Sequence, residues 1–116
     1  MRVIVGEVFD VAVDLREGSP TFGKHFGVKL TAENKKQFFI PKGFAHGFLA
    51  LRDNSTVMYQ CDGAYDKDSD TGVLFCDKDI AVKWPVDVSD MIIGQRDSTL
   101  MTFREFDSKY TEGLQI

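Results

Sequence analysis

The segment Phe38-Phe39-Ile40-Pro41-Lys42-Gly43-Phe44-Ala45-His46-Gly47-Phe48 places one of the chain's 2 histidines among apolar residues, directly after a proline and a glycine. Proline lacks an N–H for a sheet ladder and fixes φ, so Pro41 ends whatever strand precedes it. Gly43 permits a sharp turn into the next strand and brings His46 onto one face with Phe44 and Phe48. An imidazole there must find hydrogen-bond partners. It serves as an acid or base, or as a satisfied structural side chain, and spacing alone leaves both open. Tyr59 and Tyr65 supply phenols that suit proton donation, ring stacking or plain packing. Asp10 and Asp14 recur on one face of Gly6-Glu7-Val8-Phe9-Asp10-Val11-Ala12-Val13-Asp14-Leu15-Arg16, a polarity that fits either solvent or a ligand-holding interior.

Other chemistries lack their residues. A zinc or iron site needs three or four converging ligands, and His25 and His46 belong to no H-x-H or C-x-x-C pair, so no metal is expected. No dinucleotide, P-loop or nucleophile-elbow motif occurs. The formal net charge of −4, with basic residues scattered, excludes a nucleic-acid footprint. No apolar run approaches the roughly 20 residues that span a bilayer. Glu7, Asp10 and Asp14 interrupt the N-terminal hydrophobics before a signal-peptide core could form, so a cytoplasmic protein is expected, with Cys61 and Cys76 as reduced, partly buried thiols.

The elements that must position these residues follow a period of two. Phe9, Val11, Val13 and Leu15 point to one side of the first strand, and Val8, Asp10, Ala12 and Asp14 to the other. A turn at Glu17-Gly18-Ser19-Pro20 leads to a strand from His25 to Leu30, and the polar turn Thr31–Lys36 leads to a strand over Gln37–Pro41. Further strands are predicted over 45–51, 55–61, 71–76 and 80–85, with Arg52-Asp53-Asn54 and Asp77-Lys78-Asp79 as turns. Helical spacing is confined to a short stretch over 100–110. Hydrophobic residues make up 43% of 116 residues, enough for one core, so residues 1–116 are read as one all-β domain, a sandwich or small barrel.

Four ordered blocks, GEVFDVAVDLR, SPTFGK, AENK and IPKGFAHGF, closely resemble the dTDP-4-dehydrorhamnose 3,5-epimerase family of the cupin superfamily. The resemblance runs from about Val3 to Asp97 and includes VMYQCDGAYD, DKDIAVKWP and IIGQRD. It implies a cupin-type jelly roll, or double-stranded β-helix, with a short C-terminal helix, working as a homodimer without cofactor or metal. The implied substrate is a deoxythymidine diphosphate 4-keto-6-deoxyhexose. A base removes the protons at C3 and C5, both acidified by the C4 carbonyl, and an acid returns protons to the opposite face.

Residue by residue, the resemblance makes Tyr59 the proton donor, facing a β-walled hollow, and Tyr65 the ring that stacks on the nucleotide base. Asp97 matches the aspartate that orients the catalytic histidine. Asp10 matches an interior aspartate near the family's active-site lysine, and His46 lines the site. The family's catalytic histidine, in an R-G-L-H-Y-Q-like segment, and its lysine match nothing in this chain. The chain is therefore expected to be N-terminally truncated relative to the family, with activity at least about 10³-fold below a complete enzyme. Gln60 stands where lysine is common, and Leu74-Phe75 where an Arg-Trp-like pair is common. The resemblance leaves open a nucleotide-sugar-binding cupin without catalysis, or a related 3-epimerase or ketoisomerase.

Overall fold

A computed structural model of the chain describes residues 1–60 and 72–106. Five strands carry the fold: β1 (Arg2–Val5), β2 (Glu7–Asp14), β3 (His25–Thr31), β4 (Phe44–Ala50) and β5 (Thr56–Met58). Two one-turn helices follow, α1 (Gln95–Ser98) and α2 (Phe103–Phe106), the second inside the stretch where helical spacing is found. The strands form an antiparallel sheet in the order β3-β2-β4 and a two-stranded ribbon of β1 and β5.

Strand β2 is central because both its faces are apolar enough to bury. Register places Asp10 opposite Val28 and Phe48, and Ala12 opposite Phe26 and His46, so these side chains share one face. At one end of that face Val8 and Leu30, both fully buried, pack against Val3 of β1, with Phe38 and Val57 around them. The ribbon thus covers this end and leaves the other open, where Phe48 and Phe26 stand 46% and 63% exposed. Gly6, at φ +91°, separates β1 from β2; a Cβ there would collide with Ser55.

On the opposite face Val11 and Val13 form a core with Ile80, joined by Phe9, Trp84 and Phe103. The chain from 72 to 106 lies over this face. Asp77 ties it together: its Oδ1 accepts from the N–H groups of Asp79 and Ile80, and its Oδ2 from that of Phe103 at 2.9 Å. The Trp84 indole donates to the Phe75 carbonyl at 3.0 Å and meets Phe9 edge-on at 5.9 Å.

Three expected strands differ. Over 37–41 only Gln37 bridges, to Arg2, and in the 71–76 stretch, among the described residues 72–76, only Val73 bridges, to Met101. Residues 80–85 have no strand pairing, and Ala81 sits at φ +54°, which an extended strand cannot contain. Their apolar residues serve to plug the sheet from irregular chain. The strand over 55–61 is Thr56–Met58, and Cys76 is a free, exposed thiol just before the Asp77 turn, where partial burial was expected. Cys61 lies outside the described residues.

Candidate active site

His46 and Asp10 meet across the β2–β4 ladder. Their positions are diagonal, since Ala12 faces His46 and Asp10 faces Phe48, and the imidazole reaches back along the sheet to hydrogen-bond Asp10 Oδ1 through Nε2. With Nε2 as the protonated ring nitrogen, the imidazole donates to the Asp10 carboxylate. Asp10 is fully buried, and its second oxygen, Oδ2, has no partner among the described residues. The His46 side chain is 29% exposed and its ring centroid lies 6.1 Å from that of Phe48. The face is therefore an interior one. A buried carboxylate oxygen left unpaired costs free energy, which marks Asp10 as serving something other than packing.

Asp97 lies on α1 and is exposed. It lines a cavity of about 470 Å³ on the face opposite the Asp10–His46 pair, bounded by β4 and walled by Val11, Ile80, Trp84 and Met91. The cavity is mostly apolar; β4 turns Ala45, Gly47 and Leu49 toward it and the His46 ring away, onto the Asp10 face.

Tyr59 stands apart. It follows the last residue of β5 and is 64% exposed, lining an open hollow of about 910 Å³ with Met1, Arg2, Phe38 and Phe39. Among the described residues the expected β-walled hollow is walled by the ribbon and the 37–39 segment, because there β5 pairs with β1 and no strand closes its other side. Phe38 links this hollow to the His46 face through Phe26, 5.8 Å away. Tyr65 lies outside the described residues. The structure brings together Asp10 with His46, places Asp97 at the cavity on the other face of the sheet, and keeps Tyr59 in a hollow of its own.

Sequence reasoning did not single out Arg2, and it left Asp14 open between a solvent-facing and an interior carboxylate. Arg2 alternates with buried Val3, which is the signal that turns it toward the Tyr59 hollow. Asp14 is 1% exposed and accepts from Arg16, Ser19 and Thr21, which hold its carboxyl far below the usual carboxylate range; the Arg16 fork is the largest cause and burial opposes it. Among the described residues no three His, Cys, Asp or Glu side chains are grouped to hold a metal ion.

The sequence profile of dTDP-4-dehydrorhamnose 3,5-epimerase matches residues 1–105. The chain belongs to the dTDP-4-dehydrorhamnose 3,5-epimerase family. A family member from Methanothermobacter thermautotrophicus is 50% identical over 106 residues, covering 90% of this chain and 57% of that protein. The family's crystal structure from Elizabethkingia anophelis superposes with a TM-score of 0.87 at 45% identity, over 90% of this chain and 57% of that one. A dTDP-6-deoxy-D-glucose-3,5-epimerase from Legionella pneumophila, solved in complex with dTDP-4-keto-L-rhamnose, superposes at 0.79 with 39% identity, over 92% and 56%. The chain thus spans little more than half the length of these epimerases. The all-β architecture is that of the family's cupin-type jelly roll.

Proposed function

We propose that this chain acts in the epimerisation of a dTDP-4-dehydro-6-deoxyhexose at C3 and C5, through an enolate, in sugar-nucleotide biosynthesis. The observation that carries the reading is the pairing of buried Asp10 with half-buried His46, within the stretch that matches the epimerase family, with one carboxylate oxygen unpaired among the described residues. A sheet that needed only to pack would fill that place with valine.

Loss of a proton from C3 or C5 places charge on the C4 oxygen, and a hydrogen-bonded polar group aimed at that oxygen lowers the barrier. His46, held by Asp10, presents its ring beside the open half of the face. Tyr59 returns the proton and Tyr65 stacks on the nucleotide base; the proton leaving C3 or C5 goes to the family's basic histidine, which no residue of this sequence matches and which Asp97 would orient. No cofactor is required. The protein works in the cytoplasm as a homodimer.

The placement of Tyr59 in a hollow of its own favours a second reading, a cupin that binds nucleotide sugars without turning them over. One experiment separates the two. The purified protein is incubated with the 4-keto sugar nucleotide in deuterated water and followed by NMR. Epimerisation puts deuterium at C3 and C5, and Tyr59→Phe lowers that rate by about 10²- to 10⁴-fold. Binding of thymidine diphosphate without exchange selects the second reading, and neither binding nor exchange removes both.

A further inference from the structure

Strand β4, which carries His46, has β2 as its only sheet neighbour among the described residues. Its position therefore depends on the β2 ladder and on how its ends are fastened. At its start the last ladder pair is Asp14 opposite Phe44, extended by the Leu15 N–H donating to the Gly43 carbonyl at 3.2 Å.

One side chain grips both strands there. Arg16 Nε donates to Asp14 Oδ1 and Nη2 to Oδ2, each at 3.0 Å, and its own backbone N–H donates to Oδ1 at 2.9 Å. The Ser19 and Thr21 hydroxyls donate to Asp14 Oδ2 and stop the carboxylate from turning. The guanidinium so fixed lies 4.8 Å over the centroid of the Phe44 ring. Its stem covers Gly43, where a Cβ would come within 2.6 Å of Arg16 Cγ and where φ is +90°. Phe44 and His46 are two apart on β4 and share a face, as Asp14 and Asp10 do on β2. A tilt of β4 at the clamp moves His46 Nε2 relative to Asp10 Oδ1.

We propose that Arg16 is a positioning residue for His46, clamping the start of β4 onto the end of β2 so that the imidazole meets the buried carboxylate. The inference rests on the reading of His46 as part of the epimerase site. Lysine at position 16 would keep the charge but not the planar fork or the stacking.

The test reads the His46 Nε2–H resonance of the intact chain by NMR. Arg16→Lys is expected to speed exchange of that proton with water about tenfold or more, as the bond to Asp10 loosens. Glu7→Gln is the control: it removes the ion pairs of Glu7 with Lys29 and Arg52 at the other end of β2 and is expected to leave the resonance unchanged. An unchanged His46 signal in Arg16→Lys overturns the proposal, as does an equal disturbance from Glu7→Gln. Should Arg16→Lys fail to fold, Phe44→Leu removes the ring under the guanidinium and leaves the Asp14 fork intact. The same acceleration is then expected, and its absence again overturns the proposal. No substrate enters these measurements, so they stand or fall separately from the epimerase reading.

Discussion

Asp10 is the residue at which folding and function pull apart. It sits in the middle of β2 with Val8 and Ala12 beside it on the same face and Val28 and Phe48 across from it, and one of its two carboxylate oxygens is buried without a donor. Replacing a poorly satisfied buried charge by an apolar side chain of similar shape is often neutral or stabilising. Asp10→Val is therefore expected to hold or raise stability, by about 1 kcal/mol, while abolishing exchange at C3 and C5. His46, already partly exposed, would turn its nitrogen to water. Urea unfolding beside the deuterium assay checks this, and a loss of more than about 2 kcal/mol would make the carboxylate structural instead. The two partners were legible in the sequence as residue types on strand faces. Their pairing was not, because it depends on β2 and β4 being neighbours in register, which the intervening residues 15–43 conceal.

Among the elements, β2 shows how a central strand manages a crowded face on one side and a hollow on the other. Val11 is flanked by two glycines, Gly27 on β3 and Gly47 on β4. The Phe9 ring lies across Gly27, where a Cβ would meet Cζ head-on and come within 3.1 Å of Cε1, and that same ring meets Trp84. A Cβ on Gly47 would meet nothing within 4 Å among the described residues, and the residue borders the cavity lined by Asp97. Gly27→Ala should thus displace Phe9 from Trp84 and cost about 1–3 kcal/mol by overpacking, with a change in tryptophan fluorescence. Gly47→Ala should stay within about 0.5 kcal/mol. Equal losses for the two variants would mean that the aromatic cover of Gly27 carries no weight. Strands β2, β3 and β4 were readable because each alternates or is bounded by turn residues. The apolar runs over 71–76 and 80–85 imitated strands because irregular chain that plugs one face of a sheet also needs apolar residues. The left-handed Ala81 that forbids pairing leaves no mark in composition.

At the scale of the whole molecule, two buried carboxylates fasten the parts that the sheet ladder does not. Asp14 locks the 15–21 loop through Arg16, Ser19 and Thr21, and Asp77 locks the 77–80 turn to the start of α2. Both have their carboxyl groups held below the usual range. For Asp14 the Arg16 fork is the chief cause, whereas at Asp77 burial pushes upward and is outweighed by the N–H groups of Phe103, Ile80 and Asp79. A carboxyl depressed in the folded state binds fewer protons there than in the unfolded chain, so stability rises with pH across the gap between the two values. Their contribution is complete above the ordinary carboxylate range near pH 4 and is withdrawn as pH falls toward the folded values. The melting temperature is accordingly expected to hold steady above about pH 5 and to fall steeply below about pH 4. In Asp14→Asn with Asp77→Asn the protein should melt lower at neutral pH and show a flatter acid limb, since neither amide titrates. A double variant that keeps the parent's slope between about pH 2 and 4 would place acid sensitivity in other groups and leave these two locks without the role assigned to them.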